Sequence, residues 1–204
     1  MDVSKSKHAI IYYMSGTGNS YRLACFAGSE LKKLGFQINI QSTRSADPVH
    51  EIPVGADHLL VLAFPAHGFT LPWEMLKFLW RIPARKSMKA ACLASRGSLK
   101  AGHIIIPGMS GSGTFVSALF LWLKGFRVQG VLSQNMPSNW CTVHPIQKRP
   151  QHHTIIEKAN KRVSRFIRNI IETRREWFTL NNLYEFIFGV LLLPVSVAYL
   201  YIGR

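Results

Sequence analysis

The chain has 204 residues, 48% of them hydrophobic, and 25 Lys and Arg against 10 Asp and Glu, a formal net charge of +15. That length and apolar content suit one α/β domain of ordinary size with an appendage, and the basic excess points to an anionic partner: nucleic acid, an acidic protein or a phospholipid surface. Cys25, Cys92 and Cys141 are widely spaced and odd in number, which argues against a disulfide framework or an iron–sulfur cluster. The polar, charged start through His8 does not read as a signal peptide, so a reducing, cytoplasm-facing location is the expectation.

Residues 9–14 form a short apolar run that predicts a buried strand, ending abruptly at Ser15-Gly16-Thr17-Gly18-Asn19-Ser20. A helical stripe of Leu23, Phe26, Ala27, Leu31 and Leu34 follows. A strand, a small-residue loop and a helix in that order aim backbone N–H groups at one point, a site for an anion and most often for phosphate. No Gly-Lys-Ser/Thr follows, so the loop is not a P-loop, and the third glycine and distant acid of a dinucleotide fingerprint are missing. Gly35 is placed to end the helix, and residues 36–40 alternate as a second strand. Residues 42–57, with Pro48 and Pro53, read as a connection.

Residues 57–64 are a nearly continuous apolar run, as in strands covered on both faces of a parallel sheet. The run stops at Pro65-Ala66-His67-Gly68-Phe69, and Trp73, Leu76, Lys77, Leu79 and Trp80 then fit a helix. Residues 88–94 predict another strand, ending at Ser95-Arg96-Gly97-Ser98. An apolar stub at 104–106 precedes a second glycine-rich loop, 107–113, and a helix over 114–124. That loop either holds a second phosphate, packs against the first loop or lines the ligand pocket. A last strand over 125–132 leads to Asn135-Met136-Pro137-Ser138-Asn139-Trp140. Strands alternating with helices predict a doubly wound parallel sheet, with its ligand at the carboxyl ends of the first and third strands.

Three of these stretches carry a family resemblance. Ser15, Thr17, Gly18 and Ser20 resemble the hydroxyl-rich phosphate loop of flavodoxins, with Ser20 in place of the usual Thr. Phe64 to Phe69 resembles the Phe-Pro-x-aromatic-Gly loop of a branch of flavodoxin-like proteins, with His67 in place of the aromatic, and the Met-Pro-x-Asn-aromatic piece at 136–140 recurs there too. The resemblance, over residues 8–145, implies an α/β flavodoxin-like fold with a five-stranded parallel sheet in the order 2-1-3-4-5, and FMN as cofactor. It implies cofactor contacts from Ser15, Gly16, Thr17, Gly18, Asn19 and Ser20, from Pro65, Ala66, His67, Gly68 and Phe69, and from Ser95, Arg96 and Gly97. His67 is either a backbone-bonded loop histidine or a proton donor near the flavin. Arg96 is either a surface residue or a guanidinium favouring the reduced, anionic ring. These two are the candidate catalytic residues, and no metal site is expected.

The last quarter differs. Ile155, Ala159, Val163, Phe166, Ile167, Ile170 and Ile171 form one helical face, while Lys158, Lys161, Arg162, Arg165, Arg168, Arg174 and Arg175 crowd the others. The 20 residues from Leu183 to Ile202 carry one charge, Glu185, and reach about 30 Å as a helix. The expectation is a flavodoxin-like domain over 1–176 and a membrane-anchoring helix over 177–204 on the cytoplasmic side, with the basic 158–175 helix against an anionic membrane surface. Pro194 would kink such a span without forbidding it. A helix lying in one leaflet, or buried in a homo-oligomer or partner subunit, is the alternative. Three functions compete: a membrane-held FMN oxidoreductase acting on a lipophilic substrate such as a quinone or porphyrinogen, for which flavodoxin-like protoporphyrinogen oxidases are a precedent; a carrier passing electrons between redox partner proteins; and a docking subunit without catalysis. No nucleic acid is expected, because the cations concentrate beside the apolar tail.

Overall fold

Period-two alternation along the central strands decides the architecture. The computed structural model describes residues 7–101, 104–138, 149–172, 174–177 and 179–202. In β1 (His8–Tyr13), Ile10 and Tyr12 point to one face of the sheet and Ala9 and Ile11 to the other. β3 (Leu59–Pro65) divides in the same way, Leu60, Leu62 and Phe64 opposite Leu59, Val61 and Ala63. Both faces are therefore apolar and both must be covered. Fully burying a side chain such as Leu62 or Phe64 contributes about 1.5–3 kcal/mol.

The strands are β1, β2 (Gln37–Ser42), β3, β4 (Lys89–Gly97) and β7 (Arg127–Met136), all parallel, in the order β2-β1-β3-β4-β7. With β7 as the fifth strand, this is the expected order 2-1-3-4-5. Helices α1 (Asn19–Lys33) and α5 (Arg149–Ile171) cover one face through Leu23, Ala27, Leu31, Val163 and Ile167. Helices α3 (Trp73–Arg81) and α4 (Gly113–Leu123) cover the other through Met75, Phe78, Leu79, Ala118 and Leu121. α2 (Pro48–Glu51) is a single turn inside the expected connection. At the end of α1, the Gly35 N–H reaches the Lys32 carbonyl and the Phe36 N–H the Leu31 carbonyl, both at 3.1 Å, a Schellman closure at the predicted glycine. The basic side of α5 faces outward as expected, with Lys158, Lys161, Arg165 and Arg168 exposed.

Two features depart from expectation. β5 (Leu99–Ala101) and β6 (Ile104–Ile106) form a small antiparallel pair where the sequence predicts only an apolar stub. The C-terminal apolar stretch is two helices, α6 (Leu180–Leu191) and α7 (Leu193–Ile202), bent by 69° at a break beside Pro194. Proline has no N–H to donate back along the helix, and its ring clashes with the preceding turn, so the break falls there. At ~1.5 Å per residue, twelve and ten residues reach about 18 and 15 Å, short of a hydrocarbon core of about 30 Å. Among the described residues, no single helix is long and apolar enough to cross a membrane; the bent pair passes only when taken together.

The chain enters this pair along the open edge of β7. Glu176 donates to the Gln129 carbonyl at 3.0 Å and accepts from Val131 at 3.3 Å, and the Trp177 indole donates to the Val128 carbonyl at 3.2 Å. Thr179 then caps α6 by accepting from the Asn182 N–H at 3.1 Å.

Candidate functional site

The loops leaving β1, β3 and β4 meet at the carboxyl end of the sheet, and Ser95 joins them. Its hydroxyl lies 2.8 Å from that of Ser20, and its carbonyl accepts from the Ala66 N–H at 2.8 Å. Pro65 ends β3 in register with Ser95, and Gly97 lies exposed at the end of β4 in register with Met136. Asn19 donates through Nδ2 to the Pro137 carbonyl at 2.9 Å, which brings in the segment after β7. Asn139 and Trp140 lie outside the described residues.

In the first loop, the Ser15 hydroxyl accepts from the Gly18 N–H at 3.0 Å, and Gly18, with φ of 87°, opens α1. A side chain there would be forced into a left-handed backbone, which glycine adopts without strain. Gly16, Thr17 and Gly18 are exposed, and a Cβ added to Gly16 or Gly18 would meet nothing within 4 Å. No side chain caps α1, and its first turn has no acidic residue. A 15-residue helix thus presents its positive end to an open cradle, which suits a phosphate. Ser20 is the exception among the predicted hydroxyls, because it is buried against Ser95 rather than turned outward.

The second loop is a tight turn. The N–H and carbonyl of His67 pair with the carbonyl and N–H of Thr70, each at 2.9 Å, and the two central residues, Gly68 and Phe69, have φ of 54° and 59°. Positive φ at both positions matches a type I′ turn. For Phe69 it is a strained conformation, held because its carbonyl accepts from the Ser112 N–H at 2.9 Å and the Ser196 hydroxyl at 3.2 Å. His67 is exposed, yet the surrounding loops desolvate its ring and hold its pKa below the ordinary histidine value.

No protein-family model matches this chain, and no curated protein matches it by sequence. Solved structures do match in shape. A flavodoxin from Streptococcus pneumoniae TIGR4 superposes with a TM-score of 0.53 at 14% identity, over 81% of this chain and 98% of that one. A short-chain flavodoxin associated with a non-canonical PDU bacterial microcompartment gives 0.57 at 13% identity, over 82% and 98%. Rubredoxin oxygen:oxidoreductase from Desulfovibrio gigas gives 0.51 at 13% identity, over 81% of this chain and 37% of that one. The fold is that of the flavodoxins.

Within this fold, the surroundings of the third loop differ from the sequence expectation. Arg96 is buried, and its guanidinium forms an ion pair with Glu185 of α6. It also donates to Asn135 Oδ1 at 2.7 Å and Asn181 Oδ1 at 2.8 Å. Burial draws its pKa down to about 10, still far above neutrality, so it remains a cation. It is therefore neither a surface arginine nor a free charge. Glu185 Oε2 also accepts from the Ser110 N–H and hydroxyl, both at 2.8 Å, and from the Gly111 N–H at 2.7 Å. The amides that could have held a second phosphate in the 107–113 loop thus hold a carboxylate of the chain itself. The ring of Tyr199 of α7 lies close against Gly68, where a Cβ would come within 2.3 Å of it. The His67 and Tyr199 rings stand edge to face with centroids 6.4 Å apart.

The sequence reading does not place Glu185, Asn181, Asn182, Ser196 or Tyr199 at the site. Their signal was present, since Asn182, Glu185 and Gly189 recur at helical spacing inside an apolar stretch and all three are buried. A concavity of about 1110 Å³ lies at the opposite end of the sheet among His8, Gln37, Asn39 and His58, away from this constellation. Among the described residues, no cluster of His, Cys, Asp or Glu could hold a metal ion.

Proposed function

We propose that this chain is an FMN-dependent redox protein working at a membrane surface, where it exchanges electrons with a lipophilic or membrane-held partner. The observation that carries this reading is the position of the apolar helix pair. It packs on the Gly68–Phe69 turn, the loop that in a flavodoxin-like arrangement lies beside the flavin ring, through Ser196 and Tyr199. The uncapped start of α1, with exposed Gly16, Thr17 and Gly18, would hold the 5′-phosphate. The 65–69 turn and Gly97 would border the ring, and His67, whose pKa desolvation holds below the ordinary histidine value, offers a neutral imidazole there. Bound FMN would supply one- and two-electron redox chemistry. The D. gigas protein, an oxidoreductase by its name, and the flavodoxins themselves support a flavin-based role of this kind.

A second reading, an electron carrier between protein partners, is favoured by the near-complete coverage of the S. pneumoniae flavodoxin by this fold. Stoichiometric oxidation of the flavin-reduced protein by a quinone in detergent or vesicles supports the first reading. Oxidation only by a redox protein supports the second.

The cofactor is tested directly. Protein purified after FMN supplementation is expected to show flavin absorbance and to release FMN on denaturation. Gly16→Asp places a negative charge in the cradle, in open space. It is expected to weaken FMN binding by at least about tenfold through charge repulsion while leaving the thermal midpoint of the flavin-free protein unchanged. Absence of flavin from the supplemented wild-type protein would reject the reading.

A further inference from the structure

We propose that α4, α6 and α7 together form a surface that lies in one leaflet of an anionic phospholipid membrane, and that the C-terminal pair does not span the bilayer. The inference rests on the membrane reading above and is independent of FMN.

The helix pair is inside out. In an ordinary surface helix the apolar stripe faces the core and the polar residues face water. In α6, Asn182, Glu185 and Gly189 are buried, while Leu183, Phe186 and Val190 stand 56%, 54% and 57% exposed. The polar groups are committed to the domain: Asn182 donates to the carbonyls of Val131, Glu176 and Trp177 at 3.0–3.1 Å, and Glu185 is held by Arg96, Ser110 and Gly111. A helix fastened in this way cannot leave the domain to cross a bilayer without stranding Arg96 and Glu185.

The exposed stripe continues onto α4. Phe115 and Phe186 meet edge to face at 5.6 Å, and one and two turns beyond Phe115, Leu119 and Trp122 stand 52% and 64% exposed. This joins the apolar faces of two elements far apart in sequence into one surface, larger than scattered single residues would make. Arg127 and Arg175, both exposed, line the same groove as Leu119 and Trp122. An apolar face with a cationic rim fits the acyl region and headgroups of an anionic leaflet. A second copy of the chain would set Arg127 and Arg175 against their like-charged counterparts, so charge disfavours self-association through this face. The basic face of α5 belongs to the opposite layer, beside α1.

The test uses full-length protein with vesicles of phosphatidylcholine alone or mixed with phosphatidylglycerol, with and without added FMN. Wild-type protein should co-float with vesicles, more strongly with the anionic ones. Leu119→Glu with Trp122→Glu should cut partitioning by at least about tenfold, since both side chains lose their apolar burial. Arg127→Gln with Arg175→Gln should remove the anionic preference. An epitope tag placed after residue 204 should be digested from outside sealed proteoliposomes, on the same side as the domain. A tag protected inside the vesicles, or α4 variants that partition like wild type, would overturn the proposal. So would a concentration-dependent dimer abolished by the α4 changes in protein that ignores vesicles. Vesicle binding by flavin-free protein would stand even if the FMN reading failed.

Discussion

At Arg96 and Glu185, two opposite charges buried from different elements offset one another. Both side chains are 2% or less exposed. Removing one partner of such a pair leaves an uncompensated buried charge, which typically costs about 3–5 kcal/mol. Arg96→Met is therefore expected to lower the unfolding free energy by that order, and Arg96→Met combined with Glu185→Leu by less than Arg96→Met alone; urea titration of the two variants checks both. A larger loss in the double variant would show that Glu185 matters mainly to the Ser110 and Gly111 amides. The pair also changes the electrostatics of the candidate flavin site. A lone guanidinium at ~8 Å, with an effective dielectric of about 20, would act on a flavin with roughly 2 kcal/mol. Paired with Glu185, it acts as a dipole and its effect is a fraction of that.

Between elements, the tie from α1 to α5 runs through Glu30, which is buried and accepts from Arg168 at 2.6 Å and Lys33 at 3.3 Å. Burial alone would raise the Glu30 pKa; the hydrogen bonds from Arg168 and Lys33 together outweigh it and hold the pKa below the ordinary value. A depressed carboxylate pKa contributes stability that is fully present above the unfolded-state value, about 4.3, and lost as pH falls through the lower folded value. Arg168 is half-exposed, so the contribution is about 1 kcal/mol. Glu30→Gln should thus reduce stability at pH 7, and the difference from wild type should vanish in the acid range, measured by denaturant titration at a series of pH values. The apolar stripe of α1, its end at Gly35 and the buried runs of β1, β3 and β4 were legible in the sequence because each is written in local periodicity. The β5–β6 pair was not, since three-residue strands carry no period. Nor was the environment of Arg96, whose partner Asn181 lies 85 residues away. The length of the C-terminal stretch matched a membrane span, and that match obscured the spacing of Asn182, Glu185 and Gly189, which marks a face turned to the protein.

For the whole molecule, these contacts decide whether the C-terminal helices are an appendage or part of the domain. The sequence suggests that the sheet is complete before residue 178, so that removing the rest would release an intact domain. In the folded chain, that removal would strip Glu185 from Arg96 and from the Ser110 and Gly111 amides, and Ser196 from the Phe69 carbonyl. It would also uncover Gly111 and Ser112, against which Gly189 packs at a distance that leaves no room for a Cβ. Each buried donor or acceptor left unpaired costs about 1–3 kcal/mol, and a charge more, against total stabilities of about 5–15 kcal/mol for a domain. Truncation after residue 177 is therefore expected to give a protein that unfolds at clearly lower urea concentration than full-length protein in the same detergent. Arg96→Met should recover part of that loss in the truncated chain, where no carboxylate remains to pair with the arginine, while it destabilises the full-length chain. The opposite sign of one substitution in two backgrounds, read from urea midpoints, is the diagnostic outcome. A truncated protein as stable as the full chain would return the C-terminal pair to the status of a removable anchor.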